Sequence, residues 1–388
     1  MIPWRFALFC AGIGLIVYLH FYFSHRQWRR VRGEVPSDVD PTYVKREDYF
    51  AQSFRSKVRD WLNLPSLDGP LGGPRTVLKE RETIRVVPEL QMEPGAGSSD
   101  ILVVEGDFRC GPGCALSREI YARGKAAIGA GSQVQAIAAD QNVELGDKVT
   151  VARWVDSLGE LRIGRACVVH SRATAQTIRL AMDAEVQSVF APLIESDPDP
   201  SAQEHAYLPF VVQSLQIPLA DAQSAASWKK LGFDNSKLIR LDADSWIYHG
   251  SLKPRVPLRL AAKLVVKGDC VCPPGSVLEQ DLKTTGRLAV GDGSECRGNL
   301  VAGKSLYLGL QVRFSGILHS GAALWLSRGV HGEAGGGNFV AAHAGSSLYM
   351  EAGVTVHGKL SGGKHVKVVP ASYAEKWRRR YEFSSEKT

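Results

Sequence analysis

The 388-residue chain sets 47 Lys and Arg against 40 Asp and Glu and is 44% apolar and 22% charged, too apolar for a disordered polymer and too charged for a polytopic membrane protein. The net charge of +7 lies in two clusters, Arg26, Arg29, Arg30 and Arg32 near the start and Lys376, Arg378, Arg379 and Arg380 near the end; without these eight, 39 basic residues face 40 acidic ones. No nucleic-acid partner is expected, because the body lacks the basic excess that displaces phosphate counterions.

The first predicted element runs from Phe6 to Ser24, nineteen residues without a formal charge, or about 28 Å as a helix at 1.5 Å per residue. This predicts one N-terminal transmembrane helix, and residues 1–33 form a membrane anchor with its basic flank. A cleaved signal peptide is the competing reading, but the apolar run is long and no small-x-small cleavage site follows Tyr22 and Phe23. One Arg precedes the span and four follow it, which orients the body toward the cytoplasm. Seven cysteines, an odd number, fit a reducing compartment.

Residues 34–98 form a juxtamembrane segment. Within it Phe50, Phe54, Val58, Trp61 and Leu62 recur at helical spacing with charged residues between them, predicting a short amphipathic helix that docks on the body or on lipid. Pro65, Gly69, Pro70, Gly72, Gly73 and Pro74 end regular structure, and Pro94 to Ser98 reads as a linker.

From residue 99 to 192 one pattern returns every 17 or 18 residues. Its anchor column is Cys110, Ile128, Leu145, Ile163 and Leu180, followed by Gly111, Gly129, Gly146 and Gly164, with Ala181 breaking the series. The anchor column and the columns two before, six after and ten after it are apolar at every repeat, twenty positions in all, where composition would give about nine. Period-two alternation marks short strands, and Gly, Asn or Asp mark the corners. Such strands bury their apolar side only by stacking, so three strands and three corners per coil predict an all-β parallel β-helix.

The pattern returns over residues 251–370 with the anchor column Cys272, Val290, Leu308, Leu326, Met350 and Val368, spaced 18, 18, 18, 24 and 18. The long step contains His331 to Asn338, an apparent six-residue insertion, and Gly332 and Gly336 interrupt the two later columns beside it. Leu252, Pro254, Leu260 and Leu264 keep the phase of one weaker coil. Between the arrays, residues 193–250 are predicted as an insertion or linker. Residues 371–388 form a basic C-terminal tail, and Arg26, Arg29, Arg30, Arg32, Arg378, Arg379 and Arg380 are its and the anchor's candidates for membrane or partner contact.

Val104-Glu105-Gly106-Asp107, Ala127-Ile128-Gly129-Ala130-Gly131 and, one coil after it, Val143-Glu144-Leu145-Gly146, with Val266-Lys267-Gly268-Asp269 in the second array, resemble the bactofilins, polymer-forming cytoskeletal proteins of bacteria. The resemblance implies a right-handed β-helix that self-associates through its ends without nucleotide, attaches to membranes and organises cell-envelope or morphogenetic proteins. With the anchor it implies a single-pass protein of the inner (cytoplasmic) membrane, body facing the cytoplasm. Two arrays, a large interruption and a full apolar span depart from the family's single solenoid with short tails. The expectation is a scaffold rather than an enzyme, with no catalytic residue, cofactor or metal, whose structural core ladder is Cys110, Ile128, Leu145, Ile163, Leu180, Val290, Leu308, Leu326, Met350 and Val368.

The enzymatic alternatives are weaker in the residues. A hexapeptide-repeat acyltransferase needs an aliphatic every sixth position, yet twelve after each anchor stand Ala122, Asp140, Ser157, Ala175 and Pro192. Its base would be a histidine, and His170, His319, His331, His343 and His357 carry no signature. A pectin-lyase-like enzyme would need a column of Asp, Lys or Arg, whereas Glu105, Asp107 and Glu144 are scattered. Cys110 with Cys114 and Cys270 with Cys272 lack the spacing of a structural zinc site, and Cys110, Cys270, Cys272 and Cys296, in inward columns, read as small buried hydrophobes. Gly335 to Gly337 lack the Lys-Ser/Thr of a phosphate loop.

Overall fold

The computed structural model describes residues 46–69, 71–79, 81–198, 214–217, 229, 231–335 and 338–373. The chain divides into two units, Met1–Tyr49 and Phe50–Thr388, and the second holds the architecture that follows.

Apolar residues two apart build strands too short to stand alone, and these stack into three parallel ladders. In the first array the anchor face runs through Leu90–Met92, Phe108–Cys110, Ala126–Ile128, Val143–Leu145, Glu160–Ile163 and Thr177–Leu180. From Phe108–Cys110 onward each strand buries two residues two apart and turns the one between them outward, as with Phe108 and Cys110 about exposed Arg109, while Leu90 and Met92 in the opening coil are half-buried. Like residues therefore stack on like, and Cys110, Ile128, Leu145, Ile163 and Leu180 occupy one register line. Val290, Leu308, Leu326, Met350 and Val368 do the same in the second array. All ten are buried, and each aliphatic side chain removed from water contributes about 1.5 to 3 kcal/mol.

The corners explain the 18-residue step. Asp107, Asp269 and Asp281 each accept, at 2.8 or 2.9 Å, the backbone N–H of the residue 18 further on, Lys125, Arg287 and Asn299; Asn299 in turn accepts from Ile317. A short acceptor at each corner thus satisfies an amide that the strands leave unpaired. Gly129 has a different reason, since a Cβ there would lie 2.3 Å from the carbonyl carbon of Gly111 in the coil below. The third face holds register less strictly. Ala115–Ala122 and Val168–Thr174 carry a bulge residue, after Leu116 and after Val169, that the strands stacked on them lack, so Ile137 and Val189 rather than Ala138 and Phe190 align with the inward residues Ile120 and Ala173, one place from the period-based expectation.

The two arrays meet at their closing coils. Strand Glu185–Ser196 pairs antiparallel with Thr355–Val369 on all three faces, with Val186 opposite Val366, Val189 opposite Leu360 and Ile194 opposite Val356. Lys367 Nζ contacts Glu185 Oε1 at 2.6 Å, and buried Ser196 donates to Glu351 O and accepts from Val354 N. One hydrophobic core runs through both arrays. The result is a continuous column of about fourteen levels, seven from each array, whose halves run toward each other.

A helix, α1 (Tyr49–Trp61), covers the outer side of the third face, which is apolar at Ile101, Val103, Tyr121, Ala138 and Trp154. Phe54, Val58 and Leu62 are buried there, while Phe50 and Trp61 are half-buried. Arg55 leaves the same face and reaches Asp140 Oδ1 at 3.0 Å, Asp156 Oδ1 at 2.5 Å and Ala139 O at 2.9 Å. Tyr121 and Thr174 donate to the remaining oxygens of the two carboxylates, so every carboxylate oxygen has a donor; the one guanidinium balances one of the two negative charges, and Asp140, 28% exposed, stays partly open to solvent. A second outer patch stacks Tyr307, Trp325 and Tyr349 in register, the latter two rings 4.3 Å apart.

Three expectations are corrected. No helix among the described residues is long and apolar enough to cross a membrane, so the N-terminal transmembrane helix and the single-pass inner-membrane placement are not retained; Phe6 to Ser24 themselves lie outside the described residues. The solenoid also exceeds its expected bounds. The first array pairs from Glu82–Val87 onward and continues through Ser196, and within 193–250 the strands Leu215–Ile217 and Ser245–His249 already belong to the second array. Alternation over so few residues is hidden by the polar neighbours Arg240 to Ser245. Finally, His331 and Gly332 keep their ladder, and the six extra residues follow them, so Ala342 rather than Gly336 stacks on Leu318.

Candidate functional site

Because the closing coils pair with each other, the column among the described residues ends in the opening coils of both arrays, and these are built alike. In the first, Arg75–Lys79 folds antiparallel onto Glu82–Val87, which then runs parallel to Ile101–Val104 on the third face. In the second, Leu238–Arg240 folds antiparallel onto Ser245–His249, which runs parallel to Lys263–Lys267, again on the third face. Two turns of different chemistry make the hairpins: Arg81 takes a positive φ of 70°, whereas Asp242 accepts the N–H of Asp244 at 2.9 Å. That backbone bond holds the Asp242 carboxyl below the usual carboxylate range.

The outer strand of each hairpin is the last member of its ladder among the described residues, so one row of its backbone groups faces away from the column. Large apolar side chains stand exposed there: Leu78 at 74% of its surface, Ile239 at 49% and, just past the strand, Leu241 at 57%. Arg75, Lys79 and Arg240 flank them, cations of the kind that restrain indiscriminate edge pairing.

The sequence-predicted ladder residues line the core and none reaches either hairpin edge. Arg26, Arg29, Arg30, Arg32, Arg378, Arg379 and Arg380 lie outside the described residues. The six described cysteines are buried and free. Burial pushes the Cys110 thiol up to about 11, and Cys270, its sulfur 3.9 Å from that of Cys272, is raised by the hydrogen bond between the two thiols and by burial.

The histidines divide into separate groups. His170 is exposed on its strand. His319 and His343 stack at 5.4 Å on successive coils, where burial and the neighbouring ring hold His343 below its ordinary value. His331 and His357 come together with Glu333, whose carboxyl is lowered by the hydrogen bond from His331 and by His357. The hairpin edges and Glu333 were absent from the sequence reading; the available signals were the alternation at Leu238, Arg240, Trp246 and Tyr248 and the coil-length step of 24 from Glu333 to His357.

Comparison of the chain with protein-family models, with curated proteins and with solved structures found no match.

Proposed function

We propose that the chain is a scaffold subunit of the kind its repeats resemble, a bactofilin-like protein that assembles without nucleotide through the opening ends of its column. The observation that carries this reading is the antiparallel pairing of Glu185–Ser196 with Thr355–Val369. It satisfies the closing coil of each array inside the chain and leaves the two hairpin edges as the ends that meet other molecules. A stacked β-column with an edge at each end propagates naturally into a rod, because every added subunit restores the same edge. The chemistry required is burial of Leu78, Ile239 and Leu241 together with backbone pairing. Corner loops then present binding positions to cell-envelope or morphogenetic proteins at intervals set by the subunit length.

The test is sedimentation velocity of the full chain beside Leu78→Lys and Ile239→Lys, substitutions on exposed side chains that leave the core intact. The expected result is a large assembly for the unaltered chain and a shift to small species for each variant, with unchanged circular dichroism. Identical sedimentation of all three would refute end-to-end assembly.

A further inference from the structure

Strand His331–Gly332 lies on the second face of the second array, between Arg313–Phe314 and the first residues of Thr355–Val369. Gly332 is the inward residue, and a Cβ there would meet the Phe314 ring at 2.3 Å, so the register is fixed by packing. Its neighbours His331 and Glu333 therefore both face outward. His331 stands beside Thr355 and Gly332 beside Val356, and one further step sets Glu333 beside His357. Each of the three residues offers a ligand atom, and these atoms lie within 4.8 Å of one another. His331 Nε2 is 3.1 Å from Glu333 Oε2, and the two imidazole rings are 5.5 Å apart at 69°.

We propose that His331, Glu333 and His357 form a binding site for one divalent transition-metal ion of borderline softness, with zinc as the reference member of the class. Two imidazoles and a carboxylate are a recurrent donor set for such ions, and they leave the remaining coordination position to water or an exogenous ligand. Metal–ligand bonds of about 2.0 to 2.2 Å place tetrahedral donors roughly 3.3 Å apart; the His331–Glu333 separation of 3.1 Å is already close to that, and the others, within 4.8 Å, close by side-chain rotation on fixed strands. Imidazole donors select against magnesium and calcium, which prefer all-oxygen shells.

The surroundings suit the assignment. Arg313, the register neighbour of His331, is exposed on its strand, and Glu295 on its far side is ion-paired with Arg297 at 2.9 Å. A groove of about 900 Å³ lined by Glu295, Arg297, Arg313, His331 and Glu333 opens beside the donors, giving the ion an entry path and its open position a place for a ligand. The ion would join the last two coils of the second array at the root of the six-residue insertion.

The test uses the full chain carrying no polyhistidine tag, freed of metal by chelation and titrated with zinc chloride alone by calorimetry, with elemental analysis after dialysis. The expected result is one zinc per chain, weakened more than tenfold by His357→Ala and by His331→Gln, with no corresponding binding of magnesium. Zinc should also raise the melting temperature of the unaltered chain and not that of His357→Ala. Because these side chains face outward, the variants should keep the parent's circular dichroism; should His357→Ala fail this control, His331→Gln and Glu333→Gln carry the comparison. Absence of stoichiometric zinc, or equal binding in the His331→Gln/His357→Ala double variant, would overturn the proposal.

Discussion

Replacing Arg55 by Met should release α1 from the column at a cost that the structure allows to be worked out. The Arg55 side chain is 8% exposed and that of Asp156 4%, whereas Asp140 keeps 28% of its side-chain surface. The desolvated contact with Asp156 therefore dominates. Removing one partner of a buried pair costs about 3 to 5 kcal/mol; Thr174 continues to donate to Asp156, and Asp140 can rehydrate, which puts the expected loss near the lower bound, about 3 kcal/mol. The companion Arg55→Met/Asp156→Asn variant removes the stranded charge and should recover about 1 to 2 kcal/mol of it. The readout is local, because a stacked array need not unfold in one step. Trp154 lies 5.8 Å from Phe54 and Trp61 6.4 Å from it, so tryptophan emission under urea and hydrogen exchange across Tyr49–Trp61 both report undocking. An Arg55→Met protein within about 0.5 kcal/mol of the parent by both probes, the scale of an ordinary surface change, would refute the assignment of this ion cluster as the clamp.

Ile163 is fully buried between Leu145 and Leu180; Ile163→Asp should prevent folding of the first array by burying an unpaired charge, while Ile163→Val should cost only about 1 kcal/mol, both measured by circular dichroism and urea unfolding. Thiol titration of the native chain at pH 8 should find at most one rapidly reacting group, since six of seven cysteines are buried and Cys110 is pushed up to about 11; rapid labelling of several would contradict the ladders. Lys367 is raised above 10.5 by its hydrogen bond from the ammonium to Glu185. A raised folded value means that its contribution is complete below the unfolded value and fades as pH climbs through the folded one. The stability difference between the parent and Lys367→Met should therefore be constant from pH 8 to about pH 10 and shrink only above it.

The inward columns were legible because stacking forces one residue type to recur at the coil length, as from Cys110 to Leu180 and from Val290 to Val368. The docking of α1 was legible in part: Phe54 and Val58 follow the helical period, but Arg55 breaks the apolar face and its partners are 85 and 101 residues away. The junction had no local signature. Val186 and Val366 look like any other inward residues, and nothing in a strand's composition says whether its next neighbour runs parallel or reversed. The histidine cluster was hidden for a related reason: His331 and His357 are 26 residues apart, and only the correct placement of the six-residue insertion after Gly332 brings Glu333 beside His357. The hairpins escaped because the outer strand of each, Arg75–Lys79 and Leu238–Arg240, lies outside the repeat and pairs antiparallel, with a partner that the period does not supply.

The most direct test of the account is negative-stain electron microscopy of the full chain in nucleotide-free buffer. Fourteen levels at about 4.8 Å make a subunit column of about 65 Å, so the account predicts unbranched rods whose axial repeat is that length or a small multiple of it. Discrete particles one subunit long, or closed trimers, would contradict it.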